Sequence, residues 1–132
     1  MIDPSEYFNI EELRKHLKVY HEEDDDEIMS FCGAGLELAA SYINGVILKK
    51  GQTEKQWLDE NSVKYKLDID GNPIYSNKYW LVKWNYRIKS AVLLCTSDLY
   101  ENREANTDYE TYENRAFGKL LDGMRNIDIR QV

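Results

Sequence analysis

Proline is nearly missing from this chain, with two in 132 residues, and glycine is held to seven. So little of either leaves long stretches free to be helical and excludes a Gly/Pro-rich, disordered chain. Cysteine is as sparse. Cys32 and Cys95 lie among apolar neighbours far apart in the sequence, which excludes a disulfide scaffold and reads as two reduced core thiols. No apolar run approaches the roughly 20 residues that a bilayer span needs. Residues 1–6 lack the basic-then-apolar order of a secretion signal. The expectation is a cytosolic protein with no membrane contact. Positive charge is short as well: 17 Lys and Arg stand against 24 Asp and Glu, a net charge of −7. The basic residues are scattered among acids, so specific binding of duplex DNA, which needs clustered cations, is not expected.

Catalytic and ligand-binding signatures are missing too. Ser30, Ser41, Ser62, Ser76, Ser90 and Ser97 lack the glycine pattern of a nucleophile elbow. Gly33-Ala34-Gly35 falls inside a helical pattern, whereas a phosphate-binding loop sits ahead of one. His16 and His21 are five apart across a helix end, beside Glu22, Glu23 and Asp24, a spacing that reads as solvated surface rather than a zinc site. Asp68-Ile69-Asp70-Gly71 matches part of a calcium loop, but alignment on the glycine puts Lys66 at the first ligand position and Asn77 at the last. A hairpin turn is the better reading. The chain therefore reads as a non-enzyme without cofactor or metal.

What is present is helical periodicity and many aromatics, ten Tyr and three Trp. Such amphipathic rings suit either a core rim or a protein interface. Asn9 and Glu12 make a capping box for a first helix over about 10–18, with Ile10, Leu13 and Leu17 on one face. A second helix opens in the acidic run at Asp24-Asp25-Asp26, where the dipole favours anions. It continues through Ile28, Phe31, Cys32, Gly35, Leu36, Ala39, Tyr42 and Ile43 to Val46 or Ile47, unless Asn44-Gly45 ends it early. Gly33, Ala34 and Gly35 predict a close helix approach.

Residues 49–61 read as charged and turn-rich. Val63, Tyr65, Leu67 and Ile69 then alternate with polar residues as in a strand, Asp70-Gly71-Asn72-Pro73 makes a turn, and Ile74-Tyr75 returns. A third helix is expected over 78–102, its first half apolar nearly all round (Tyr79, Trp80, Leu81, Val82, Trp84, Tyr86) and so buried centrally or in a partner. Ala116, Phe117, Leu120, Leu121 and Met124 mark a short last helix. The predicted fold is mainly α: a small helical bundle of about four helices with a β-hairpin insertion between the second and third long helices. One domain spans 1–132, with an N-terminal arm at 1–8, the insertion at 49–77 and a tail at 126–132.

The most informative junction lies where the apolar face of Ile88, Ala91, Val92, Cys95 and Leu99 runs into Tyr100-Glu101-Asn102-Arg103-Glu104. Two acids beside one Arg are poor helix-end chemistry, because the dipole there favours cations. A buried ion-pair network or a subunit contact is the better reason for the cluster. Arg103, whose planar fork can hold two carboxylates, is its natural centre, with Glu101 and Glu104 as the expected partners.

The order is capped helix, acidic loop, long helix, apolar helix ending in Leu99-Tyr100-Glu101-Asn102-Arg103-Glu104, and a finish at Leu120, Leu121 and Arg125. Over residues 9–48 and 87–125 this resembles the head–tail connector (head-completion adaptor) family of tailed bacteriophages and prophages. The resemblance implies a virion protein whose copies form a homo-oligomeric ring below the portal protein. That ring extends the DNA channel, lets DNA pass without specific binding, and receives the next head-completion or tail protein. It also implies a location in the host cytoplasm during assembly and at the virion head–tail junction afterwards. Tyr100, Glu101, Asn102, Arg103, Glu104, Ile127 and Ile129 are the candidate interface residues. Both chain ends are expected to order only on assembly, the tail by presenting Ile127 and Ile129 on one side of an extended strand to a neighbour's edge. The competing reading is a small cytosolic interaction or regulatory module without catalysis. A helix-turn-helix DNA reader over 10–48 is disfavoured by the acids at 22–27.

Overall fold

A computed structural model describes residues 2–103 and 112–126. Among these residues it contains five α-helices and two two-stranded sheets, a mainly α fold as predicted. Helix α1 (Ile10–Leu17) starts at the capping box: the Glu12 amide donates to the Asn9 side chain, and the Glu12 carboxylate accepts from the Asn9 amide. Helix α2 (Asp25–Ile43) begins in the acidic run and stops at Asn44, whose φ of 58° is the left-handed cap that Asn tolerates. Helix α4 (Tyr86–Glu101) buries Ile88, Ala91, Val92, Cys95, Thr96 and Leu99. Helix α5 (Arg115–Leu121) contributes Phe117 and Leu121.

The core forms where α2 packs on α4, closed by α1 and α5. Gly35 makes that approach close, as its size predicts. A Cβ on it would stand 3.3 Å from Val92 Cγ1 and 3.4 Å from the Val92 carbonyl oxygen. Each fully buried Leu or Ile in this layer, Leu36, Ile43 and Ile88 among them, contributes about 1.5–3 kcal/mol relative to exposure.

The structure corrects several expectations. Residues 78–85 are not helical: Leu81–Val82 forms strand β4, parallel to β1 (Val46–Ile47), in the register Val46 to Leu81 and Ile47 to Val82. A stretch that is apolar nearly all round has no helical period to obey, and it is not buried throughout, since Trp80 and Tyr86 are exposed. The Asn85 side chain instead sets the start of α4 by accepting from the amides of Arg87 and Ile88. Within the turn-rich stretch, Thr53 and Gln56 form a second capping box and start α3 (Glu54–Glu60), which brings the described helices to five, against the about four expected. The hairpin is shorter than its alternation, with β2 (Lys66–Leu67) antiparallel to β3 (Pro73–Ile74). It is held to α3 by hydroxyl donation from Tyr65 to Asp59 and from Tyr75 to Glu54.

The N-terminal arm is built into the single chain and does not wait for assembly. Pro4–Glu6 forms a 3-10 turn, and Tyr7 and Phe8 are buried against Trp84, with ring centroids 5.2 and 5.3 Å away. The Tyr7 hydroxyl donates to the Ile47 carbonyl at 2.6 Å, which covers the outer edge of β1. Two buried rings outweigh the tendency of a terminus to fray. Glu104, Ile127 and Ile129, and with them the tail beyond residue 126, lie outside the described residues. Among the described residues, no helix is long and apolar enough to cross a membrane.

Cys32 and Cys95 are free and buried, and burial pushes both thiols up to about 12 from an ordinary 9.0. The unfolded chain then releases these protons first, so stability is expected to fall as pH rises from about 9 toward 12. At pH 8 a thiol reagent should react slowly with native protein and label both cysteines on unfolding. Rapid labelling of the native state would contradict this placement.

Candidate contact site at the ends of α2 and α4

Because α2 and α4 run antiparallel, the N-terminus of one lies beside the C-terminus of the other. Dipoles there favour anions on α2 and cations on α4. Asp24 and Glu27 occupy the first position, and Arg103, one residue past the Asn102 cap, occupies the second. The Arg103 guanidinium sits 3.5 Å from Asp24 Oδ2 and 3.3 Å from Glu27 Oε1. Its Cζ also lies 4.5 Å from the centroid of the Tyr100 ring, within cation–π range. The Tyr100 hydroxyl donates to Asp24 Oδ2 at 2.6 Å. That hydrogen bond is the first cause of the rise in the Tyr100 pKa, opposed by Arg103.

Arg103 thus organises two carboxylates, but they come from α2 and not from its own sequence neighbours. Glu101 instead accepts a long hydrogen bond from Ser97 Oγ at 3.5 Å. Asn102 caps α4 by donating its side-chain amide to the Asp98 carbonyl at 2.9 Å. Glu101, Asn102 and Arg103 are all solvent-exposed.

A second cluster, which the sequence reading missed, holds the far side of the same chain end. The Tyr112 hydroxyl and the Asn114 side-chain amide both donate to Asp98 Oδ2, at 2.9 and 2.7 Å. Asn114 Oδ1 also caps α5 by accepting from the Ala116 amide at 2.9 Å. Burial, then the Asp98 hydrogen bond, raises the Tyr112 pKa, which favours the protonated hydroxyl that donates to Asp98. Residues 103 and 112 are therefore both secured to the same end of the bundle. The Asn114 cap was visible in the sequence as an Asn ahead of an apolar run, whereas its second bond, to Asp98, had no local signal.

Chemically the arrangement is one of mutual satisfaction, in which tyrosines and an arginine meet carboxylates. Among the described residues, no group of three or more His, Cys, Asp or Glu is arranged to hold a metal ion. Asp68 does turn chemistry: its Oδ1 accepts from the amides of Asp70 and Asn72 at 2.9 and 2.8 Å. No protein-family model matches this chain, and no curated protein or solved structure matches it.

Proposed function

We propose that this protein is a head–tail connector of a tailed phage or prophage, acting by assembly without catalysis. Copies join in a ring below the portal, extend the DNA channel and present a platform to the next head-completion or tail protein. The observation that carries the reading concerns the two stretches that resemble the family, residues 9–48 and 87–125. They supply every buried member of the main core cluster except Tyr7 and Phe8, and the insertion at 49–77 buries only Leu58, which lies outside that cluster. The resemblance thus covers most of one packed unit, to which the unmatched arm adds Tyr7 and Phe8 and the unmatched β4 adds a partner for β1. The exposed Glu101, Asn102 and Arg103 are the surface that this unit offers to a neighbour, and a ring of identical copies needs such a patch to meet a different one. An acidic protein also suits a channel past which DNA must slide without adhering.

The test is electron microscopy of the purified protein mixed with the portal protein of its own phage, together with duplex-DNA binding at physiological salt. Rings coaxial with the portal and no shift of duplex DNA are expected. Submicromolar DNA affinity would overturn the channel role. Tight binding to a single non-virion protein, with no ring on the portal, would favour a small interaction module instead.

A further inference from the structure

Two surfaces away from the helix-end site have complementary character. The first is a groove of about 660 Å³ on the outer side of α2, lined by apolar Pro4, Met29, Gly33 and Ala34 and by the acids Asp26 and Glu37, of which Glu37 also accepts the Ile2 amide at 2.9 Å. Gly33 keeps the groove open, since the nearest atom to a Cβ placed there is Pro4 Cγ at 3.6 Å. The second is the β2–β3 hairpin. Its register sets Lys66 opposite Ile74 and Leu67 opposite Pro73, so Ile74 lies on one face and Leu67 on the other. Ile69 stands at the turn. These three are exposed by 57%, 51% and 100% respectively. A thin blade that is apolar on both faces and at its tip is shaped for a groove rather than for a flat surface.

Charge says what kind of groove. Residues 20–37 contain seven Asp and Glu and no Lys or Arg, whereas residues 61–92 contain six Lys and Arg against two Asp. One of those two, Asp68, is directed onto amides within the turn. Among the described residues, Asp26, Lys64 and Lys66 make no salt bridge.

The geometry points to the hairpin of one copy seating in the α2 groove of the next. Ile69, Leu67 and Ile74 meet the apolar lining, and Lys64 and Lys66 meet Asp26 and Glu37. The two surfaces share no residue, so the contact is heterologous and propagates from copy to copy, closing into a ring when the rotation permits. This deepens the connector reading and rests on it.

Sedimentation velocity of the full chain over rising concentration, at low and physiological salt, tests the contact. The wild type is expected to self-associate, less strongly as salt rises. Ile69→Asp and Gly33→Leu should each weaken association roughly tenfold to a hundredfold. Both should keep the native circular-dichroism spectrum, because Ile69 is fully exposed and a Cβ at Gly33 meets nothing closer than Pro4 Cγ at 3.6 Å, with the open groove beyond it. Copies carrying Ile69→Cys mixed with copies carrying Ala34→Cys should form a disulfide-linked pair that neither forms alone. A wild type that stays monomeric at every concentration overturns the contact, as does association that both variants leave intact. Rings on the portal that persist in Ile69→Asp overturn the contact and leave the connector reading standing. Hairpin-dependent association that never forms a ring on the portal supports the contact and overturns that reading.

Discussion

Leu99→Ala is expected to lower the stability of the fold by about 2–5 kcal/mol, whereas Arg103→Ala, one helical turn further on, should leave the unfolding midpoint nearly unchanged. Leu99 is 1% exposed and sits in the α2–α4 core. Its truncation loses the transfer free energy of a buried side chain and leaves a void that closely packed neighbours fill only in part. Arg103 holds Asp24 and Glu27 at the surface, where water and salt screen the pairs. Asp24 keeps its hydrogen bond from Tyr100 in the variant. The two substitutions separate the structural part of the Leu99–Arg103 segment from its exposed part. Under the connector reading, Arg103→Ala folds and fails to form rings. Chemical denaturation checks the first difference and electron microscopy with portal the second. Full ring assembly by Arg103→Ala would remove Arg103 from the interface, and an unfolding midpoint for Leu99→Ala equal to wild type would contradict its burial.

Gly45→Ala should cost at least about 2 kcal/mol, although it adds a single methyl group. The added Cβ would lie 2.6 Å from the Trp80 carbonyl oxygen and 2.7 Å from Trp80 Cδ1. That carbonyl cannot simply retreat, because it accepts the Val46 amide at 2.8 Å and so opens the β1–β4 ladder. The indole is also held, donating from Nε1 to the Met124 carbonyl at 2.9 Å. Relief therefore requires β1 and β4 to part, and hydrogen exchange at Val46 and Leu48 should accelerate together. Gly33→Ala is the control. Within α2 a Cβ meets nothing closer than 3.6 Å, so the gain in helix propensity of about 1 kcal/mol should appear as a neutral or stabilising change. Equal behaviour of the two variants would mean that Trp80 does not crowd Gly45.

The parts of this fold that were legible in the sequence are those decided within a few residues. The Asn9–Glu12 box, the acidic start of α2 and the buried face of α4 all follow from caps and from three- and four-residue repeats, whereas the expected run of α2 to Val46 or Ile47 gave way to a stop at Asn44 and a strand. Such interactions close within one or two turns, wherever the rest of the chain goes. The Thr53–Gln56 box was equally local and was passed over in a charged stretch. Other features had no local trace. Strands β1 and β4 are two residues each and separated by the whole α3–hairpin segment, so only their meeting makes them strands. Tyr7 and Phe8 carry no periodicity, and their burial depends on Trp84 being brought to them. The composition of Tyr100 to Glu104 announced that a charge network was needed, but it pointed Arg103 to the nearest acids. The partners were chosen by the antiparallel packing of α2 on α4, which sets Asp24 against Tyr100 across 76 positions of sequence. There the anion-favouring end of one helix and the cation-favouring end of the other face each other.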